Sequence, residues 1–196
     1  MRKITVTNNL TLDGVMQAPA AKDEDTRGGF THGGWARQYD DDVKQKEMAA
    51  GMGKPGDMLL GRRTYEHFYK VWHGRTDNPF TPVLDRARKY VVSNTLKEPL
   101  VRENSVLVTG NAVDAVARLK QDGGNDIAIL GSGALIRSLL PHDLVDEMVL
   151  LIYPLIVGGG FRMFPDDGTF AKFALTKSVP TTKGVIIATY KLITRG

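Results

Sequence analysis

Short apolar runs alternate with polar, glycine-bearing turns along most of this chain, and stretches of helical period follow several of the turns. "KITVTNN" (Lys3–Asn9) is β-branched and alternating, which predicts a strand. The irregular segment after it, "LDGVMQAPAAKDEDTRGGFTHGGWARQYDDD", is rich in Gly, Asp and Ala. At roughly 30 residues it is too long for a plain connection and predicts a functional lid or an insertion. From Asp41, "DDVKQKEMAAGM" predicts a helix with acids at its N-terminus. "DMLLG" (Asp57–Gly61) reads as a short buried strand. "RRTYEHFYKVW" follows as a helix with Tyr65, Phe68, Tyr69 and Trp72 at core-facing spacing.

"NPFTPVLDRA" predicts a turn and a short helical piece, and "KYVVSNTL", "SVLVTG" and "DIAILGSG" predict strands that each run into a turn. Between the last two, "NAVDAVARLKQDGG" is an amphipathic helix with Asn111 as N-cap and Gly123 as its stop. "ALIRSLLPHDL" is a helix broken by Pro141. Thereafter "LVDEMVLLIYPLIVGG", "FAKFALTKSVPTT" and "GVIIATYKLI" read as strands with no helix between them, Asp146 and Glu147 opening the first as structural residues. Parallel βα units followed by an antiparallel run predict an α/β fold around one mixed, mainly parallel sheet. There is no internal repeat and no linker, so residues 1–196 form a single domain with an extended loop at about 13–40.

Composition narrows the function classes. The chain of 196 residues has no cysteine, which removes disulfides, Fe–S clusters, cysteine zinc sites and a thiol nucleophile. No apolar run reaches the roughly 18–20 residues of a membrane helix, and the N-terminus lacks a signal-peptide pattern. A cytoplasmic protein is the expectation. The net charge of +4 comes from scattered basic residues mixed with acids, with no basic stripe of the nucleic-acid kind. Phosphate-bearing small molecules remain attractive partners on electrostatic grounds.

The chemistry concentrates at the strand ends. Strand "MLLG" passes at Gly61 into "RRTYE", where helix N–H groups and two arginines suit an anion. Other strands end in "SNT" at Ser93, "TGN" at Thr109 and "GSGAL" at Gly131. Ligands of open α/β sheets bind outside such carboxyl ends. A glycine after a strand also serves tight turns and close packing, and for "GSGAL" the two readings weigh about equally. A Rossmann fingerprint does not fit: Ile136 stands at the third glycine position, and no acid follows about 20 residues on.

"GGFTHGGW" (Gly28–Trp35) contributes His32 and Trp35 within the long loop. Either the loop closes on substrate with Trp35 packed on a flat ring, or it is a structured surface loop anchored by Trp35. Of the acids in "YDDD", Asp41 is the candidate proton donor, against a simple role in capping the helix. No ligand spacing for a metal is present.

The ordered set "LTLDG", "GGFTHGGW", "LLGRRTYE", "KYVVSNTL", "ILGSGALIRSLL", "LVDEMVLLIYPLIVGGGFRMF" and "GVIIATYKL" spans nearly the whole chain. In this order it resembles the dihydrofolate reductase-like superfamily. More closely, it resembles the family named for the C-terminal reductase domain of the bifunctional riboflavin-biosynthesis deaminase/reductase. The resemblance implies a three-layer α/β/α fold with NADPH across the strand ends. Gly61, Arg62, Arg63 and Thr64 would then serve the phosphates, Ser93 and Asn94 the 2′-phosphate side, with Thr109 at the neighbouring strand end. Gly131, Ser132, Gly133 and Leu135 would lie at the pyrophosphate and ribose, and Leu12, Asp13 and Gly14 over the nicotinamide. It places "VGGGF", Tyr153 and Pro154 beside the substrate pocket, with His32 and Trp35 from the loop. The activity it implies is hydride transfer to a small heterocyclic or ribosylamino-pyrimidinedione-like substrate. The alternatives are reduction of a pterin or folate-like compound, or nucleotide binding without catalysis. It also implies a homodimer through the C-terminal strands.

Overall fold

The computed structural model describes residues 1–52, 56–164 and 166–193. The order of elements is β1 (Ile4–Thr11), α1 (Asp42–Met52), β2 (Asp57–Gly61), α2 (Arg62–Trp72), α3 (Phe80–Arg86), β3 (Lys89–Val92) and β4 (Ser105–Val108). Then come α4 (Ala112–Gln121), β5 (Ile127–Leu130), α5 (Gly133–Leu139), β6 (Glu147–Tyr153), β7 (Lys172–Pro180) and β8 (Ile186–Ile193). One eight-stranded sheet runs β4-β3-β2-β5-β1-β6-β8-β7. The first six strands in that order are mutually parallel; β8 joins β6 antiparallel and β7 joins β8 antiparallel. This is the mixed α/β sheet that the pattern predicts.

Alternation along β1 sends Ile4, Val6 and Leu10 to one face. There they join Leu59, Ile127 and Ile129 under Val116 of α4 and Ile136 and Leu139 of α5. The opposite face carries Met58, Leu60 and Val91 against Tyr65 of α2 and Leu84 of α3, with Phe68 and Trp72 packed alongside as core. Farther along that face, Leu151, Tyr153 and Ile187 are covered by Val15, Phe30 and Trp35 of the long loop, with Met48 of α1.

Element ends follow local chemistry. The Asn111 side chain accepts from the N–H groups of Val113 and Asp114, capping α4 as predicted, while the helix stops at Asp122, one residue before Gly123. Helix α5 ends at Leu139, and a 3₁₀ turn carrying Pro141 follows, because proline cannot continue the ladder. The strand expected across "LVDEMVLLIYPLIVGG" stops at Tyr153. The "VGGG" stretch lies in the loop that follows β6. It docks on the first loop, where Val15 bridges Arg162 and Met163 N–H donates to the Gly14 carbonyl.

Long-range polar staples gather at the amino ends of the strands. Buried Arg2 pairs with Asp57 and donates to the Asn125 carbonyl; Lys120 pairs with Asp146, which also accepts from Ile4 N–H at 2.7 Å; Lys3 meets Glu147 at 2.6 Å. Asp146 and Glu147 are thus structural, as predicted. Lys89, 1% exposed, donates to the carbonyls of Leu84, Asp85 and Ala87 and closes the C-terminal end of α3.

Candidate active site

At the opposite, carboxyl edge, the residues leaving the six parallel strands stand in sheet order as Thr109, Ser93, Arg62 after Gly61, Gly131, Leu12 and Pro154. Turns scattered through the sequence are thereby aligned on the edge where α/β sheets bind ligands.

The centre of the edge is the β2–β5 junction. Gly61 N–H donates to Ser132 Oγ at 2.9 Å, and Ser132 Oγ–H donates to Thr64 Oγ1 at 2.8 Å. Gly131 and Ser132 both have left-handed backbones, at φ +68° and +62°. For Ser132 that conformation is strained and is held by its two side-chain bonds. Gly133 is required by crowding. A Cβ there would lie 2.5 Å from both Met16 Sδ and Phe161 Cε1, so the first loop and the "VGGGF" loop seat directly on α5. Leu135 turns its side chain into the core, at 7% exposure.

Gly61 gives α2 no capping side chain. The first-turn N–H groups of Arg62, Arg63 and Thr64 therefore lack intrahelical acceptors, and the positive end of the helix dipole is open. Arg62 lies beside Glu66 at 3.1 Å in an exposed pair, and Arg63 is exposed. Next along the edge, Ser93 Oγ accepts from Thr95 and Leu96 N–H within its own turn. Asn94 clasps Gly110 through both of its amide atoms, joining the loops after β3 and β4 beside exposed Thr109.

On the other side, Leu12 is exposed and Gly14 turns at φ +77°. The Asp13 carboxylate accepts from Thr11 Oγ1 at 2.6 Å and from the N–H groups of Gly158 and Val157. Burial pushes this carboxyl up, but those bonds outweigh it and hold it below the usual range. Asp13 therefore works inside the protein, tying the first loop to the glycine-rich loop after β6.

Two expectations for the long loop need correction. Trp35 is 6% exposed, donates its indole N–H to the Gln17 carbonyl at 2.7 Å and meets Tyr153 edge-on at 5.1 Å. It anchors the loop and offers no open ring face. Asp41 is no proton donor. Its carboxylate accepts from Lys44 N–H at 2.8 Å, and from Lys183 N–H and Thr182 Oγ–H at 2.9 Å each, tying the start of α1 to the β7–β8 turn. The Lys44 N–H, more than the other two donors, holds it far below the usual carboxylate range. Its native pKa is depressed, so its contribution is present above the unfolded value and is lost as pH falls through the folded one. Asp41→Asn is expected to lower stability at neutral pH, and the difference from the parent to close progressively below about pH 4. Denaturant titrations at stepped pH read this; a difference independent of pH contradicts it.

His32 is exposed, edge-on to Phe30 at 6.0 Å. Pro154 is exposed at the end of β6. Tyr153, 1% exposed, donates to Asn9 Oδ1 at 2.8 Å and receives Lys44 Nζ at 3.2 Å. Lys44 also pairs with Asp40 at 2.5 Å. Sequence reasoning missed Asn9 and Lys44, because one sits within a plain strand and the other on a mostly exposed helix.

Residues 2–187 match the RibD C-terminal domain. The chain belongs to the RibD C-terminal domain family. This agrees with the resemblance drawn from the motifs and places the chain in a family of reductase domains with a dihydrofolate reductase-like fold. Among solved structures, a Shewanella protein assigned to riboflavin biosynthesis is 26% identical, with a TM-score of 0.75 over 98% of this chain and 99% of that one. A pyrimidine reductase-like protein from Corynebacterium diphtheriae, 15% identical with a TM-score of 0.63 over 99% and 93%, shares the fold. Two uncharacterized Bacillus subtilis proteins are also similar. YyaP is 26% identical over 137 residues (68% of this chain, 72% of YyaP), and YwjB is 29% identical over 107 residues (55% and 57%). The uncapped first turn of α2 presents free N–H groups beside two arginines, an arrangement that suits an anionic group. Among the described residues no cluster of His, Asp and Glu could hold a metal, and no helix is long and apolar enough to cross a membrane.

Proposed function

We propose that this chain is an NADPH-dependent reductase acting on a small heterocyclic substrate of the ribosylamino-pyrimidinedione kind. The observation that carries this reading is the open first turn of α2, with Arg62 and Arg63, joined through Ser132 to the Gly131–Gly133 turn. Gly61–Thr64 and Gly131–Ser132 would hold the phosphates, the Ser93–Asn94 and Thr109 loops the adenosine side, and Leu12–Gly14 the nicotinamide side. Bound NADPH supplies a hydride; the protein supplies binding, orientation and a covered site. Arginine contacts to the extra phosphate favour NADPH over NADH. His32 and Pro154 border the substrate end.

A homodimer and a cytoplasmic location belong to the same proposal. β7 is an edge strand with Leu175 exposed, and Ile193 is exposed at the end of β8, surfaces suited to a second copy. The commitment of Asp41 to capping favours a second reading, in which the chain binds NADPH without turnover. Loss of reduced-nicotinamide absorbance across a panel of pyrimidinediones, pterins and quinones separates the two. The reductase reading expects turnover with at least one acceptor; tight NADPH binding without turnover on any overturns it.

A further inference from the structure

On the face of the sheet covered by α1, two strands from Gly131, stands a partly buried polar group that the phosphate cradle does not use. Tyr153 is the last residue of β6 and pairs in register with Thr11; Asn9 lies two residues earlier on β1. Lys44 reaches them from the first turn of α1, with its side chain only 13% exposed. Burial of a lysine costs free energy unless its charge is met. Here the ammonium carries three N–H donors and has two partners among the described residues, Asp40 and the Tyr153 hydroxyl. The Tyr153 hydroxyl donates its proton to Asn9 Oδ1, and the Asn9 amide N–H groups have no protein partner among the described residues.

Apart from the Asp40 carboxylate, which is 58% exposed, the unused capacity of the group lies in donors. Burial pushes Lys44 down, but Asp40 and Tyr153 more than compensate and its pKa is raised; burial raises that of Tyr153 against the opposing charge of Lys44. Both groups keep their protons at neutral pH, so the Lys44 ammonium stays charged.

We infer that Lys44 and Asn9, held by Tyr153, form the specificity-determining subsite, which takes a carbonyl or anionic oxygen of the substrate and rejects a donor-rich, cationic ring edge. Lys44 and Asn9 touch the substrate and Tyr153 positions them; as a substrate subsite the inference rests on the reductase reading. Its chemistry is tested apart from turnover with two small planar probes, barbiturate (acceptor-rich and anionic) and 2,4-diaminopyrimidine (donor-rich). Each is titrated calorimetrically into the full chain saturated with NADPH, and again without it.

The parent is expected to prefer barbiturate. Lys44→Met should weaken barbiturate binding about tenfold or more, the scale of one lost charge-assisted contact, and Lys44→Arg should restore part of it. Lys44→Glu should reverse the preference toward 2,4-diaminopyrimidine, which a purely structural lysine would not do. If Lys44→Met or Lys44→Glu loses its cooperative unfolding, Lys44→Gln serves in its place, with the same loss expected. No barbiturate binding by the parent, or unchanged barbiturate affinity in a folded Lys44 variant, overturns the inference. Failure of the parent to bind NADPH counts instead against the reductase reading, while the probe titrations without NADPH still decide the subsite.

Discussion

Replacing Arg62 and Arg63 together by alanine is expected to weaken NADPH binding about 100-fold and to leave the unfolding midpoint nearly unchanged. Each arginine stands at an uncapped helix start, where a charge-assisted bond to phosphate adds to the helix dipole. Two such contacts at about 1.5 kcal/mol each, near the low end for bonds to charged groups, sum to about 3 kcal/mol, which is about two decades in affinity. Stability should barely respond, because the Arg62–Glu66 pair is an exposed i,i+4 contact of the kind worth a few tenths of a kcal/mol. Any preference for NADPH over NADH should shrink in the same variant. Fluorescence titration of both nucleotides checks this; near-parental NADPH affinity would place the phosphates elsewhere.

Gly133→Ala is expected to destabilise the protein by about 2 kcal/mol, although alanine is the better helix former by up to about 1 kcal/mol. The new methyl would meet Met16 Sδ and Phe161 Cε1 at 2.5 Å. Met16 is flexible and can yield, but Phe161 is fixed: its N–H donates to Gln17 Oε1 at 2.8 Å, and the Arg137 guanidinium lies 4.2 Å from its ring centroid. Relief then requires moving the loop after β6 off α5, and with it the loop after β1 that Gln17 ties to Phe161, so nicotinamide-nucleotide affinity should fall with stability. Gly51→Ala is the control. Gly51 lies within α1 with nothing near its missing Cβ, and the same change there should stabilise by about 0.5–1 kcal/mol. Equal effects at the two positions in denaturant titrations would show that the crowding at Gly133 is unimportant.

Much of the fold was legible because period and punctuation agree. β2 and α2 begin and end where the sequence predicts, with Gly61 as the joint and Tyr65, Phe68 and Trp72 on the buried side. The alignment of Thr109, Ser93, Gly61 and Gly131 was foreseeable from the strand-end rule, although the strand order that brings β2 beside β5 was not. The long loop resisted reading, since its contacts are tertiary. Trp35 carried two readings, and anchoring prevails over an open platform because Gln17 and Tyr153 surround it. Asp41 carried two local readings. Capping prevails because Thr182 and Lys183, some 140 residues away in sequence, bring two further donors to the same carboxylate. Lys44 was invisible for the same reason: only the fold sets it against Tyr153 and Asn9.

On the proposed reading, a reduced dinucleotide lies along the carboxyl edge of the parallel strands. Amide chemical-shift mapping during an NADPH titration of the parent chain tests it most directly. Saturable binding is expected, with the largest shifts at Gly61–Thr64, Gly131–Ser132 and Ser93–Asn94. Shifts confined to the amino edge around Arg2 and Asp57, or no saturable binding at millimolar NADPH, would contradict it.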